Sequence, residues 1–382
     1  MRGVAIAGFG LVKIGEHWNK SIKDLFAEAS LMAMDRAEVK GVDHIYVANM
    51  AGAGLQSQLN MGPMMAHALG LAGTPATRIE SGSASGGLAF HEAVKAVSSG
   101  INDIVLVGGV EKMTDGPPEV VNTSIAMEED QEYTAYTGIT KIGLSALLHR
   151  LYMNRYNVPP EDVAMMAVKG QEHAVGCGHA QYPFKLSVER VMSSPMEADP
   201  IHMMECSGIG DGAAALVLCP ADQKSTAVEV ASSQVSTDAY QITDRDDPLT
   251  LGAVERAADR AYNAVRITPG ELDLAEVHDD VSINGILSIE SLGLAERGEG
   301  ARLVAESGTD LDERIPVNTF GGLKARGNPL GATGLYQLVE VAMQLEGIAG
   351  KNQVDGAEVG LAQNMGGTAS ICTVNILRRT SR

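Results

Sequence analysis

The stretch from Thr77 to Gly109 constrains the fold more than any other part of this chain. A short strand ending near Glu80 runs into Ser81-Gly82-Ser83-Ala84-Ser85-Gly86-Gly87. A helix follows from Leu88 to Ser98, with Phe90, Val94 and Val97 on its apolar side, and then the apolar strand Asp103–Val107 (DIVLV). Strand, tight turn, helix and strand in this order make a βαβ unit. Strands that are apolar without alternation are buried on both faces, which predicts a mostly parallel sheet covered by helices.

The rest of the chain fits an α/β plan. Val4–Ala7 reads as a strand ended by Gly8-Phe9-Gly10, and Ser21 opens an amphipathic helix to about Arg36. His44–Asn49 is the next strand, and Asn60–Leu69 reads as a helix with Pro63 near its start. From about 115 to 201 the pattern is irregular and rich in Met, Tyr and His, as expected of a long loop insertion over the working edge of the sheet. Ser207–Leu218 returns to a Gly-rich turn and strand, and the turn Pro220-Ala221-Asp222 marks a boundary between an N-terminal half (1–222) and a C-terminal half (223–382). The second half repeats the plan, with strands at Val228–Ser232, Leu274–His278 and Val359–Gln363 and helices within Pro248–Arg266, at Ile283–Leu292 and at Leu335–Leu345. SASG–helix–DIVLVGG in the first half parallels GATG–helix–EVGLAQNMGG in the second. The matched order suggests a duplicated α/β unit, although Gly and Ala are abundant enough here for coincidence.

A length of 382 residues calls for two domains of ordinary size. The net charge of −19 argues against nucleic acid, whose phosphates need a basic surface. It also requires a local basic patch for any anionic ligand. None of the four cysteines, Cys177, Cys206, Cys219 and Cys372, lies at C-x-x-C spacing, so no zinc knuckle or redox pair is signalled. No signal peptide and no membrane span are expected, and a reducing cytoplasm is the expected compartment.

Five ordered motifs resemble the thiolase superfamily. They are EKMTD (Glu111–Asp115) after a double Gly, SGIGDGAAA (Ser207–Ala215), HDDVS (His278–Ser282), NTFGGLKARGNPLGATG (Asn318–Gly334) and QNMGGT (Gln363–Thr368). With the corner around Ser83 they cover most of the chain. The nearest type is the archaeal and bacterial acetyl-CoA acetyltransferases of the sterol-carrier-like branch. The resemblance implies a duplicated five-layer αβαβα fold, a homodimer or homotetramer, and lipid metabolism in which coenzyme A thioesters are substrates rather than bound cofactors. It further suggests hydroxymethylglutaryl-CoA synthase and a small zinc-ribbon protein as partners.

The same resemblance assigns the site. Joining or cleaving a carbon–carbon bond between acyl-CoA units needs a nucleophile, a base and two oxyanion holes. Ser83 stands where the family carries its nucleophilic cysteine, at a helix N-terminus. A thiol of pKa about 8.5 becomes a thiolate there, whereas a serine hydroxyl needs a well-placed base. Asn328, in Gly327-Asn328-Pro329, stands where the family has the activating histidine, and an amide is no base. Asn364 falls at the second cysteine's place, a position the sterol-carrier-like branch often leaves without one. His278 matches the histidine of one oxyanion hole, and the backbone N–H groups of Ser83 and Gly366 match the other. Ser83 is thus an engineered silencing or trapping change, a natural change in a diverged paralogue, or a working nucleophile. The simultaneous change at Asn328 favours divergence.

Other candidates have plainer explanations. His173, Cys177 and His179 form H-x-x-x-C-x-H without a fourth ligand and read as a surface loop. Met165-Met166 and Met203-Met204 read as core filling before acyl-pocket lining. Lys324 and Arg326 read as solvated loop charges before phosphate or pantetheine contacts. Ser81, Ser85 and Ser207 read as turn residues. Two functions follow: a thiolase-type acyltransferase (thiolysis of acetoacetyl-CoA or another 3-ketoacyl-CoA, or Claisen condensation) altered at Ser83 and Asn328, or a non-catalytic thiolase-fold subunit that binds CoA or scaffolds another acyltransferase.

Overall fold

The computed structural model describes residues 2–223 and 227–380. Its strands in chain order are β1 (Val4–Leu11), β2 (His44–Ala48), β3 (Ala76–Ile79), β4 (Val105–Glu111), β5 (Met196–Ala198), β6 (Ile201–His202), β7 (Gly212–Pro220), β8 (Val228–Thr237), β9 (Leu274–Glu276), β10 (Val359–Gly366) and β11 (Ile371–Arg379). Nine of them join in the order β3-β2-β4-β7-β1-β8-β11-β10-β9, and β5 pairs with β6 apart. Strands that precede residue 222 fill one side of this order and those that follow fill the other. The two sides meet at a single pairing, Ala5 with Glu229.

Helices build the layers. The Ser85–Ser98 and Thr333–Glu346 helices pack on each other and touch strands of both halves, so they form the middle layer. The Ile22–Arg36 helix covers β1, β7 and β4 from one outside face, and the Gly252–Val265 helix covers β8 and β11 from the other. This is the expected five-layer αβαβα arrangement, with SASG and GATG opening the two central helices.

Three expectations from sequence change. The sheet is mixed rather than mostly parallel: β2 runs parallel to β3 and β4, and β9 to β10, but β1/β7, β4/β7, β8/β11 and β10/β11 are antiparallel. Antiparallel strands sandwiched between helix layers are buried on both faces too, so continuous apolar runs do not reveal direction. β1 continues through Gly8 and Gly10 to Leu11. Those glycines let the Ile22–Arg36 helix lie against the strand, since a Cβ at either would overlap that helix's backbone. Finally, the 115–201 region is largely helical, at Pro118–Ala126, Lys141–Tyr156, Pro160–Ala174 and Val188–Met192. The Lys141–Tyr156 helix buries Lys141, Ser145 and His149 beside its apolar residues, which blurs its helical periodicity.

Candidate active site

Ser83 is fully buried just before the Ser85–Ser98 helix. Gly82 turns the chain into this corner with φ +57°. Ser81 sits in the turn as expected, while Ser85 is the first residue of the helix: the Ser81 N–H donates to Ser85 Oγ at 2.9 Å, and Ser85 Oγ donates to the Gly82 carbonyl at 2.5 Å. Gly366 is where the C-terminal Gly loop closes on this corner, because a Cβ there would come within 2.5 Å of the Ser81 carbonyl oxygen.

Ser83 meets a carboxylate, not a histidine. Its hydroxyl donates to Glu128 Oε1, which also accepts the Ser83 N–H at 3.0 Å. The other oxygen, Oε2, accepts the Gly367 N–H at 2.6 Å and the Lys141 ammonium at 3.2 Å. The N–H that joins that of Ser83 on one acceptor is therefore Gly367's. Lys141 reaches in turn to Asp280 Oδ2 at 3.1 Å. Burial opposes the Lys141 charge, yet Asp280 and Glu128 hold its pKa above the ordinary lysine value. Burial also opposes the Asp280 charge, but Lys141 and His278 outweigh it and hold its carboxyl below the usual range.

His278 lies on the far side of Asp280, with Nε2 3.9 Å from Asp280 Oδ2. Asn364 sets its tautomer. The Gly87 N–H donates to Asn364 Oδ1 at 3.1 Å, and Asn364 Nδ2 donates to the Ser83 carbonyl at 3.0 Å, so the amide has one orientation. Its second N–H faces His278 Nδ1 at 3.2 Å. Nδ1 must then be bare, and the imidazole proton sits on Nε2, which has no hydrogen-bond partner among the described residues. Burial pushes the His278 pKa down to about 4, although Asp280 pulls it up. At neutral pH the ring is thus a neutral Nε2–H donor, suited to a developing oxyanion.

Asn328 does not reach Ser83 by any hydrogen bond of its amide. Its Nδ2 donates to Ser207 Oγ at 3.3 Å, and its Oδ1 accepts from Thr333 Oγ1 at 2.7 Å. Asn328, Ser207, Lys141 and Asp280 line a cavity of about 220 Å³. The sequence-derived residues Ser83, His278 and Asn364 thus come together, with Asn328 in the wall of that cavity.

Glu128 and Lys141 were missed from sequence. The one available signal is that Lys141 is the only Lys or Arg between Lys112 and Arg150, within an apolar and acidic segment. Two other sequence readings are corrected. His173, Cys177 and His179 are buried, not on a surface loop: His173 Nδ1 lies 3.1 Å from the Asn318 carbonyl and His179 Nε2 lies 2.8 Å from Glu340. Among the described residues no group of three His, Cys, Asp or Glu side chains could hold a metal ion. Arg326 is fully buried on Glu340 at 2.6 Å, and Lys324 is buried over the Tyr182 ring, so neither is a solvated loop charge. Met166 packs in the core as read, whereas Met203 is exposed.

Residues 4–222 match the family description "Thiolase, N-terminal domain", and residues 234–379 match "Thiolase C-terminal domain-like". The chain belongs to the thiolase family. It is 45% identical over 387 residues to the acetyl-CoA acetyltransferase of Methanothermobacter thermautotrophicus, covering 99% of this chain and 100% of that one. It is 30% identical over 398 residues to human sterol carrier protein 2, covering 98% of this chain and 72% of that one. Among solved structures it superposes on the Ltp2-ChsH2(DUF35) aldolase with a TM-score of 0.84 at 20% identity, covering 99% of this chain and 98% of that chain. Within this thiolase, the Ser83 hydroxyl meets the Glu128 carboxylate and the Asn328 amide meets Ser207 and Thr333.

Proposed function

We propose that this thiolase is an acyl-CoA acyltransferase whose chemistry is altered at Ser83 and Asn328, acting on acetoacetyl-CoA or a related 3-ketoacyl-CoA. The observation that carries the reading is His278. It is buried and neutral, and its Nε2–H, without a hydrogen-bond partner among the described residues, lies 3.9 Å from Asp280, which is itself part of the cavity wall. A donor kept neutral and unpaired in a dry site stabilises charge that forms during reaction and needs no reorganisation to do so. The likeness to acetyl-CoA acetyltransferases supports a thioester as the substrate. In this reading Ser83 stands at the acyl position, His278 at the oxyanion of the attacked or enolising thioester and Asn328 in the activator's place; the N–H that sequence resemblance assigned to Gly366 beside that of Ser83 is replaced by that of Gly367, which meets the same carboxylate.

A second reading has its own support. Asn328 supplies no base, and Ser83 is already taken by Glu128. A chain in that state is a CoA-binding or scaffold subunit. The DUF35 component of the solved Ltp2-ChsH2(DUF35) aldolase favours a small partner protein, in keeping with the zinc-ribbon and hydroxymethylglutaryl-CoA synthase partners suggested by resemblance. A homodimer or homotetramer, a cytoplasmic location and a place in lipid metabolism belong to this proposal. Among the described residues no helix is long and apolar enough to cross a membrane.

Acetoacetyl-CoA thiolysis separates the two readings when measured on this chain and on the Ser83→Cys/Asn328→His variant. Slow turnover by the parent and faster turnover by the variant are expected. Silence in both, with no CoA bound in calorimetry, would sink the enzyme reading. Rapid turnover by the parent would sink the scaffold reading.

A further inference from the structure

The donors around Ser83 already have an occupant. Glu128 takes the N–H of Ser83, the N–H of Gly367, the hydroxyl of Ser83 and the ammonium of Lys141. Each backbone N–H has one hydrogen to give. A carboxylate in this place and an acyl oxygen in the same place exclude each other. The carboxylate also sits at the N-terminus of the Ser85–Ser98 helix, where the macrodipole favours an anion. We infer that Glu128 decides whether residue 83 can be acylated: its carboxylate stands in for the acyl oxygen, and a thioester gains the site only when Glu128 leaves it.

Three further observations fit. Ser83 is fully buried and does not line the cavity walled by Lys141, Asp280 and Asn328, so its hydroxyl is closed off from that side. Gly82 makes room for the plug, because a Cβ there would lie 3.0 Å from Glu128 Cγ and Cδ. And Glu128 has somewhere to go. It borders a second cavity of about 290 Å³ that is lined also by Met50, Arg78, Glu80 and Ser124, where the Arg78 guanidinium, which also donates to the Asn49 and Met50 carbonyls, supplies a positive charge opposite the Glu80 carboxylate. The Glu128 backbone stays anchored, its carbonyl accepting from the Tyr240 hydroxyl at 2.9 Å, and only the side chain need move. Lys141 keeps Asp280 at 3.1 Å when Glu128 departs, so no buried cation is stranded.

The inference rests on reading this corner as the acyl site, and the test keeps the two apart. A Ser83→Cys background supplies a sulfur that reports access. Two reagents are used, iodoacetamide and acetyl-CoA, with mass spectrometry at residue 83. With iodoacetamide the sulfur displaces iodide and forms a carbon–sulfur bond. With acetyl-CoA the acetyl group passes to the sulfur, and the CoA sulfur leaves with the thiol proton. Adding Glu128→Ala should speed alkylation at least about tenfold, since charge-assisted contacts are lost from the resting state. Added acetate should slow it again by refilling the N–H pair. If Glu128→Ala does not fold, Glu128→Gln serves: its neutral amide holds the N–H groups less tightly, and labelling should rise by a smaller factor. Equal or slower labelling without the carboxylate would overturn the inference and make Glu128 a base or a structural strut. Faster alkylation with no acetyl transfer would uphold the inference and refute the thioester reading of the site.

Discussion

Replacing Asn364 by Asp tests the tautomer argument at its source. The Asn364 side chain donates to the Ser83 carbonyl at 3.0 Å and faces His278 Nδ1 at 3.2 Å, while accepting from Gly87. A carboxylate of the same shape can only accept. It would keep the Gly87 contact, leave the Ser83 carbonyl without that donor, and draw a proton onto His278 Nδ1. An opposite charge at this range shifts a pKa by about 1 to 3, at about 1.4 kcal/mol per unit. The His278 pKa should therefore rise from about 4 by that amount, with the ring proton moving from Nε2 to Nδ1. Orphaning the Ser83 carbonyl should cost about 1 to 3 kcal/mol of stability. Nitrogen-15 NMR of labelled imidazoles reads both tautomer and titration, and a His278→Gln spectrum assigns the ring among nine histidines. An Nδ1–H tautomer in the parent chain, or an unchanged titration in Asn364→Asp, would refute the reasoning.

Burial holds His278 at about 4 and His149 also at about 4, against an ordinary value of 6.5. Between those values the unfolded chain binds more protons than the folded one, so stability should rise with pH across that window. The deficit should reach about 3 kcal/mol per residue at its lower end, and urea denaturation of His278→Gln should show a flatter pH dependence. Gly87→Ala should destabilise by about 1 to 3 kcal/mol or more, because the new Cβ overlaps Thr373 Oγ1 and meets Asn364 Oδ1. Thr373→Ala in the same chain should recover part of that loss in thermal denaturation. Arg326→Met should cost about 3 to 5 kcal/mol, since it takes the guanidinium from the buried Glu340 carboxylate and leaves it only the His179 ring; a change within about 0.5 kcal/mol, the range of ordinary surface substitutions, would show that the pair is not in place.

Local chemistry made the chain's own outline readable. Ser21 caps its helix by accepting from the Asp24 N–H, as the Ser and Asp spacing suggests. The SGSASGG corner and the Gly366-Gly367 loop were legible because glycines and small residues mark turns wherever they occur, whereas the strand expected to run to His278 ends at Glu276. Strand direction was not legible, because burial on both faces removes the alternation that would distinguish a solvent-facing antiparallel strand. The Lys141–Tyr156 helix escaped for a related reason: its buried Lys141, Ser145 and His149 look like solvent-facing positions until their partners are known.

The sequence by itself determined that the SGSASGG turn carries a hydroxyl at Ser83 and the Gly-Asn-Pro motif an amide at Asn328, because those are properties of residue type within local motifs. Only the tertiary structure decided what the hydroxyl meets. Glu128 lies 45 positions from Ser83 and 239 from Gly367, and Asn364 lies 86 from His278. Contacts over such separations leave no local pattern. The pairing of Glu128 with Lys141, and the neutral Nε2–H ring at His278, exist only because folding buries these groups together, where each polar atom's state is set by what surrounds it.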